Sequence, residues 1–514
     1  MTPYPNTRFR RWFLPTELPE LPLSAGRDAL FVRLVGLLYV LAFASLWPQI
    51  PGLFGEHGIL PAQLVLDSIS KELGGRRFYL VPTLFWFRAT DTALLYVCGA
   101  GLLAGLSVLA LRLVWPALFL AWFCHLSFLW IGGPFLSFQW DLLLSELGVL
   151  LLLSVPVRYQ TPQPLKLIPV GYVLLLWLLF RVVFGAGYLK LAGGDATWRD
   201  LTAVHHHLET QPLPTVFAFY AHALPFVVKK ALSAATLVVE AVVPFLLFVP
   251  RLHRVALALF VGLHVGIALC GNYGYFNVQV LVLSLLLAPV AWFAFLRPNP
   301  VAAPAGEDGE ADAPSQVSRR PSFLYGVVRL AFALLVFAAS LGHFLWTLRE
   351  KNDVPALLRV PMKLCAPVQA VSHYGPFASM TTARPELVIE GSQDGVTWRE
   401  YSFPWKPGDP KRRPRWNAPY QPRLDWQMWF AALAKPSDSP WLHMLLLRLL
   451  EGSQDVLWLF ESDPFAGRRP NYLRVQLYPY RFTQPAEQRQ TGAYFVRDTP
   501  LPFISPVGLT TADP

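Results

Sequence analysis

The sequence predicts a mainly α protein: a multi-pass transmembrane helical bundle of about nine spans, carrying a C-terminal extramembrane α+β domain with a small β-sheet. Three observations lead there. Of 514 residues, 54% are hydrophobic, 14% aromatic and only 15% charged, a balance suited to lipid rather than to water. Apolar windows of about 20 residues, enough to cross a hydrocarbon core of roughly 30 Å, recur between Asp28 and Trp346. Beyond Lys351 the chain turns mixed polar and aromatic, as a domain in water should.

Taken in order, residues 1–27 form a cytoplasmic N-terminus, since Arg8, Arg10, Arg11 and Arg27 precede the first span and basic residues stay on the cytoplasmic side. The helical body occupies 28–300, with spans at 28–50, 90–111, 114–132, 135–155, 167–191, 231–249, 252–270 and 276–297. No cleavable leader is expected, because the first apolar window is long enough to remain in the membrane. Alternating the spans places Arg112, Arg158, Lys166, Arg251, Arg254, Arg297, Arg319 and Arg320 on the cytoplasmic side. The loop 192–230, the turn GNYGYFN at 271–277 and the C-terminal domain fall on the other side. The acidic, Ala/Gly/Pro-rich stretch 301–322 reads as a disordered cytoplasmic linker, and 323–350 as the last transmembrane helix.

In the domain 351–514, ELVIEGSQDGVTWREYSF alternates apolar and polar residues around Asp394-Gly395, a hairpin signal. Helical spacing follows at 422–434 and at 440–452, the latter stopped by Gly452, and strands return at YLRVQLYPYRFT and GAYFVRD.

The net charge of +10 contains no basic run suited to nucleic acid, so membrane lipid is the expected partner of the excess charge. Cys98, Cys124, Cys270 and Cys365 form no CxxC pair and read as packed thiols. Ionisable groups inside apolar windows are costly and mark clamps or sites. Arg33, Asp141, Glu146, Arg181, Glu240 and His264 are such groups and predict an intramembrane polar network, with Arg181 paired to Glu146 or Glu240. Lys190 stands at the outer edge, where it either snorkels or, if enclosed, serves as a base. The outer-face loop after it supplies Asp195, Trp198, Arg199, His207 and Glu209. Trp47, Trp86 and Trp198 read as belt residues. His205, His206 and His207 are consecutive and cannot all face one ion on a helix, so no metal site is predicted. Arg423, Asp425, Trp426 and Trp429, an aromatic and arginine mixture usual in binding patches, are the candidate contacts for a protein partner. Core packing is the competing reading for the two tryptophans.

The longest motifs are FVRLVGLLYVLAFASLWPQIPGLFGEHGILPA (31–62), FLSFQWDLLLSELG (135–148), LLFRVVFGAGYLKLAGGDATWRDLTAVHHHLETQPLPT (178–215) and SHYGPFASMTTARPELVIEGSQDGVTWREYSFPWKPGD (372–409) with APYQPRLDWQMWFAAL (418–433). Through these the chain resembles the lipase maturation factor family over nearly all its length. The resemblance implies a membrane factor that helps exported clients, secreted lipases above all, to fold and assemble on the non-cytoplasmic side. That side is the lumen of the endoplasmic reticulum in eukaryotic relatives. For a chain with these short loops, ending TTADP, it implies a bacterial inner membrane and a periplasmic domain. More remotely, FGAGYLKLAGGDATW looks like the AG-x-x-KL and following tryptophan of vitamin K-dependent γ-carboxylase and its horizontally transferred transmembrane (HTTM) relatives. That likeness implies a second reading, an enzyme using a quinone with Lys190 as base.

Overall fold

The computed structural model describes residues 24–157, 165–296, 323–349 and 353–509; the N-terminal arginines and the linker expected at 301–322 lie outside them. The helices that build the bundle and its outer loop are α1 (Ser24–Leu46), α2 (Asp91–Leu109), α3 (Val114–Ile131), α4 (Gln139–Ser154), α5 (Pro169–Ala192), α6 (Ala203–Thr210), α7 (Phe226–Ala241), α8 (His253–Cys270), α9 (Phe276–Ser284) and α10 (Phe323–Leu348).

Among the described residues, seven helices are long and apolar enough to cross a membrane, against about nine expected. The difference lies in the windows 135–155 and 276–297. Helix α4 has 16 residues and carries Asp141 and Glu146. Apolar helix 276–287 has 12 residues, the last three of them already a 3-10 turn. At 1.5 Å per residue these are about 24 and 18 Å long, and neighbours bury them almost throughout. Both nonetheless reach between the two ends of the bundle. Helix α4 starts beside the C-terminal domain, where Asp141 meets Arg423, and ends where the Ser154 carbonyl accepts from Ile168 N–H. The Leu286 carbonyl accepts from Arg27 at 3.1 Å, on the same far end.

The C-terminal domain sits on the end of the bundle opposite Arg27. Its first helix, α11 (Ala356–Cys365), packs on α10. Strands β1 (Arg384–Ser392), β2 (Arg399–Glu400), β3 (Tyr472–Phe482), β4 (Phe495–Arg497) and β5 (Leu501–Val507) make one antiparallel sheet in the order β2-β1-β3-β4, with β5 also on β3. The hairpin expected at Asp394-Gly395 is present. Gly395 has φ +75°, and Asp394 Oδ1 accepts from the amides of Val396 and Thr397 at 2.8 and 2.7 Å. Helices α12 (Arg423–Ala432) and α13 (Pro440–Glu451) match the helical spacing, and Gly452, at φ +74°, ends the second. Strand β5 had no signal: Pro502 and Pro506 interrupt its alternation, and it survives as an edge.

One apolar core runs through both parts. It links Phe31 and Tyr39 of α1 with Trp426 and Met428 of α12, Leu445 of α13 and Val475 of β3. The domain is therefore seated on the bundle by burial as well as by the charges described next.

Candidate functional site

The buried charges gather in a seam where bundle helices, outer loops and the C-terminal domain meet. Arg181 pairs with Glu146, both at most 4% exposed. Glu146 Oε2 also accepts from the Tyr374 hydroxyl at 2.7 Å and the Ser372 amide at 3.0 Å, while Arg181 donates to the Ser372 carbonyl at 3.2 Å. So the start of the C-terminal domain, Ser372 to Tyr374, is inserted into the bundle and satisfies its deepest ion pair. Gly185 makes room for it: a Cβ there would stand 2.9 Å from the Tyr374 carbonyl oxygen.

Two residues further along α5, on another face, Gly187 lets α7 approach. A Cβ at 187 would fall 2.6 Å from the backbone of Glu240 and Ala241. This contact carries Glu240 to Lys190, whose ammonium donates to Glu240 Oε2 at 2.5 Å and lies 5.3 Å from the Trp198 ring. Lys190 is 4% exposed, so it is enclosed and does not snorkel. Trp198 is buried too, its indole donating to the Phe377 carbonyl at 3.1 Å. That is a correction to its reading as a belt residue: the C-terminal segment covers it.

The third pair joins the two parts directly. Arg423 donates to both oxygens of Asp141, at 2.8 and 2.9 Å, and to the Phe135 carbonyl at 2.6 Å. The hydroxyl of Tyr275, the residue just before α9, donates to Asp141 Oδ1 at 2.6 Å. Around this pair, Gln49 accepts from the Arg423 amide and donates to the Gln421 carbonyl, and Ser45 accepts from the Gln421 amide. A fourth cluster holds the loop after α6. Arg384 donates to the carbonyls of Glu209, Gln211 and Pro212 and pairs with Glu386, which also binds Lys406 at 2.9 Å. Neither Arg384 nor Lys406 figured among the residues singled out by sequence, because a charge in a water-facing domain gives no signal of burial.

The outer-face loop is tied down residue by residue. Asp195 caps the turn at Thr197 and accepts from the Met380 amide at 2.9 Å. His207 and Gln211 both bond the Tyr273 hydroxyl, each at 2.7 Å. Glu209 accepts from the Phe482 amide. Burial pushes the His207 imidazole down to about 4, with Lys190 adding to the effect. His205 stacks on His222 at 5.1 Å. Arg199 remains exposed. Among the described residues no group of three or more His, Cys, Asp or Glu is arranged to hold a metal ion. His264 bonds Asn277 at 3.0 Å, whereas Arg33, exposed on α1 and donating to the Leu109 carbonyl, stands apart from the other charges.

The four residues read as client contacts are all buried in the seam. Trp426 packs against Trp140 at 4.9 Å and Phe138 at 5.7 Å, and the Trp429 indole donates to the Thr210 carbonyl at 2.8 Å. Asp425 does not pair with Arg423; its Oδ1 accepts from the amides of Trp405 and Lys406 at 2.9 and 2.8 Å. Burial pushes the Asp425 carboxyl up to about 6 despite these bonds and the nearby Lys406 and Arg412. A carboxyl whose pKa is raised on folding favours the folded state below its unfolded value near 3.8, and that contribution disappears as the pH climbs through about 6. The difference corresponds to about 3 kcal/mol. Asp425→Asn keeps an acceptor for both amides without the charge. Thermal unfolding in detergent is expected to show the variant at least as stable as the parent at pH 7.5, with the parent's fall in stability between pH 4 and 6.5 flattened. A variant much weaker at pH 7.5 would contradict the account.

What this arrangement does chemically is position. Among the described residues, Asp141, Glu146 and Glu240 are each matched by a cation from another segment of the chain, and Asp425 by amide donors from the loop at 405–406. Comparison with known proteins gives the same division of the chain. The lipase maturation factor transmembrane domain matches residues 27–294, and the lipase maturation factor C-terminal domain matches 370–504. Lipase maturation factor 2 of Homo sapiens is 34% identical over 90% of this chain and 80% of its own length, and that of Gallus gallus 34% over 91% and 79%. Lipase maturation factor 1 of Bos taurus is 29% identical over 95% of this chain and 93% of its own. No solved structure matches. With both of the family's domains present in order and meeting along one charged seam, the chain belongs to the lipase maturation factor family.

Proposed function

We propose that this protein is a membrane-embedded maturation factor that helps exported proteins, secreted lipases among them, to fold and assemble on the non-cytoplasmic face. The observation that carries the reading is the match of both family domains across the chain. The side is supported by charge: Arg27, Arg112, Lys166, Arg251 and Arg254 cluster at the end of the bundle away from the C-terminal domain, where basic residues mark the cytoplasm. In a bacterial inner membrane the domain would be periplasmic. With Trp426 and Trp429 spent inside, client contact falls to the outer side of the same region. Phe430 and Leu433 are over 40% exposed there, and Trp458 is 85% exposed.

The test is a secreted lipase expressed in cells that lack their own maturation factor, with and without this chain. The proposal expects the ratio of lipase activity to lipase protein to rise; an unchanged ratio with the chain present in the membrane would refute it for lipases. In the same assay Lys190→Arg is expected to keep most of the effect, since arginine still pairs with Glu240. Loss of activity with normal membrane abundance would instead assign Lys190 as a base, because arginine does not give up its proton.

A further inference from the structure

We infer that the segment Lys411–Trp416 is a headgroup site for an anionic phospholipid of the leaflet on which the C-terminal domain rests. The segment reads KRRPRW, and three features place and equip it. First, it lies at a span's end. Asn272, two residues beyond the close of α8 at Cys270, donates to the Arg415 carbonyl at 2.9 Å and accepts from the Asn417 amide at 2.8 Å. Below it on α8, Val265 and Leu269 turn outward, 42% and 38% exposed, where only hydrocarbon would cover them. Second, Trp416 is half exposed and meets the half-exposed ring of Phe217 edge-on at 6.1 Å. Trp416 and Tyr220, the latter 54% exposed on the same short helix as Phe217, are amphipathic rings of the kind that settle at headgroup level.

Third, the charge is unbalanced. Arg412 and Arg415 share one carboxylate, Glu461. Lys411 and Arg413 are exposed and make no ion pair among the described residues. Arg412, Arg413 and Arg415 also line a cleft with Trp405, Lys406 and Gly408. Cations on a surface at the edge of a bilayer concentrate anionic lipid by roughly fivefold each. A phosphodiester headgroup matches the exposed Lys411 and Arg413 in charge, and its acyl chains continue along the apolar face of α8. An acidic stretch of client protein offers the same charge but leaves Trp416, Phe217 and Leu269 unaccounted for.

Native mass spectrometry of the full chain in micelles containing equal phosphatidylglycerol and phosphatidylcholine tests the assignment. The parent is expected to retain phosphatidylglycerol preferentially. The double variant Lys411→Ser/Arg413→Ser, changed only at exposed positions, should lose that preference by about tenfold or more, and Trp416→Ser should weaken retention of both lipids. The site is overturned if the two lipids are held equally by the parent, or if the double variant keeps the preference. It is also overturned if millimolar inorganic phosphate displaces phosphatidylglycerol, which would make it a free-anion site, or if a hexaglutamate peptide does so, which would make it a site for acidic chain.

Discussion

Arg423→Met is expected to strip most of the folded protein from the membrane. Asp141 is fully buried, and removing its partner leaves a carboxylate with only the Tyr275 hydroxyl to compensate it. Breaking a buried pair from one side costs about 3–5 kcal/mol, a large share of the roughly 5–15 kcal/mol that holds a typical domain together. Arg423 also donates to the Phe135 carbonyl, so the connection before α4 loses a donor as well. The double change Arg423→Met/Asp141→Leu should recover much of the loss, because a well-packed apolar pair replaces an ion pair at little net cost. The yield of monodisperse protein in detergent and its unfolding midpoint measure both effects. A single variant as stable as the parent would mean that this pair does not join the two parts.

Glu146→Ala is expected to act more locally and to a similar extent, by about 3–5 kcal/mol at the affected site. It leaves Arg181 without a counter-charge and removes the acceptor for the Tyr374 hydroxyl and the Ser372 amide in one step. The inserted segment should then withdraw from the bundle. Cys365, seven residues upstream, reports on that movement. It is 3% exposed, and burial pushes its thiol up to about 11, so in the parent it should resist maleimide. In a Cys270→Ser background, with Cys98 and Cys124 buried in the bundle, labelling of Cys365 by maleimide should rise at least severalfold in the variant. Unchanged labelling in a folded variant would contradict the insertion.

The sequence made the membrane body readable because hydrophobic windows of span length have few other uses, and the hairpin at Asp394-Gly395 and the stop at Gly452 were readable because their backbone angles call for those residues. The need for Arg181 to find a carboxylate was readable from the cost of an isolated charge. Its choice of Glu146 was not, since Glu240 was equally plausible until Gly187 is seen to bring α7 against Lys190. The windows 135–155 and 276–297 read as helices of full span length because a window average does not register that the helix within it is short and wrapped by neighbours. Trp426 and Trp429 could be read as a binding patch for a related reason. An amphipathic helix in the soluble domain shows an apolar face, but not whether another part of the chain covers it. Here the bundle does, through Trp140, Phe138 and Thr210.

That covering is the centre of the account: the C-terminal domain is seated on the bundle through buried contacts. Hydrogen–deuterium exchange on the full-length protein in lipid nanodiscs measures it directly, at the amides of residues 370–376 and 423–432. The account predicts that these exchange as slowly as the transmembrane helices they touch, and that Arg423→Met speeds both stretches. Exchange of both within seconds in the parent, as for a tethered domain free of the bundle, would contradict it.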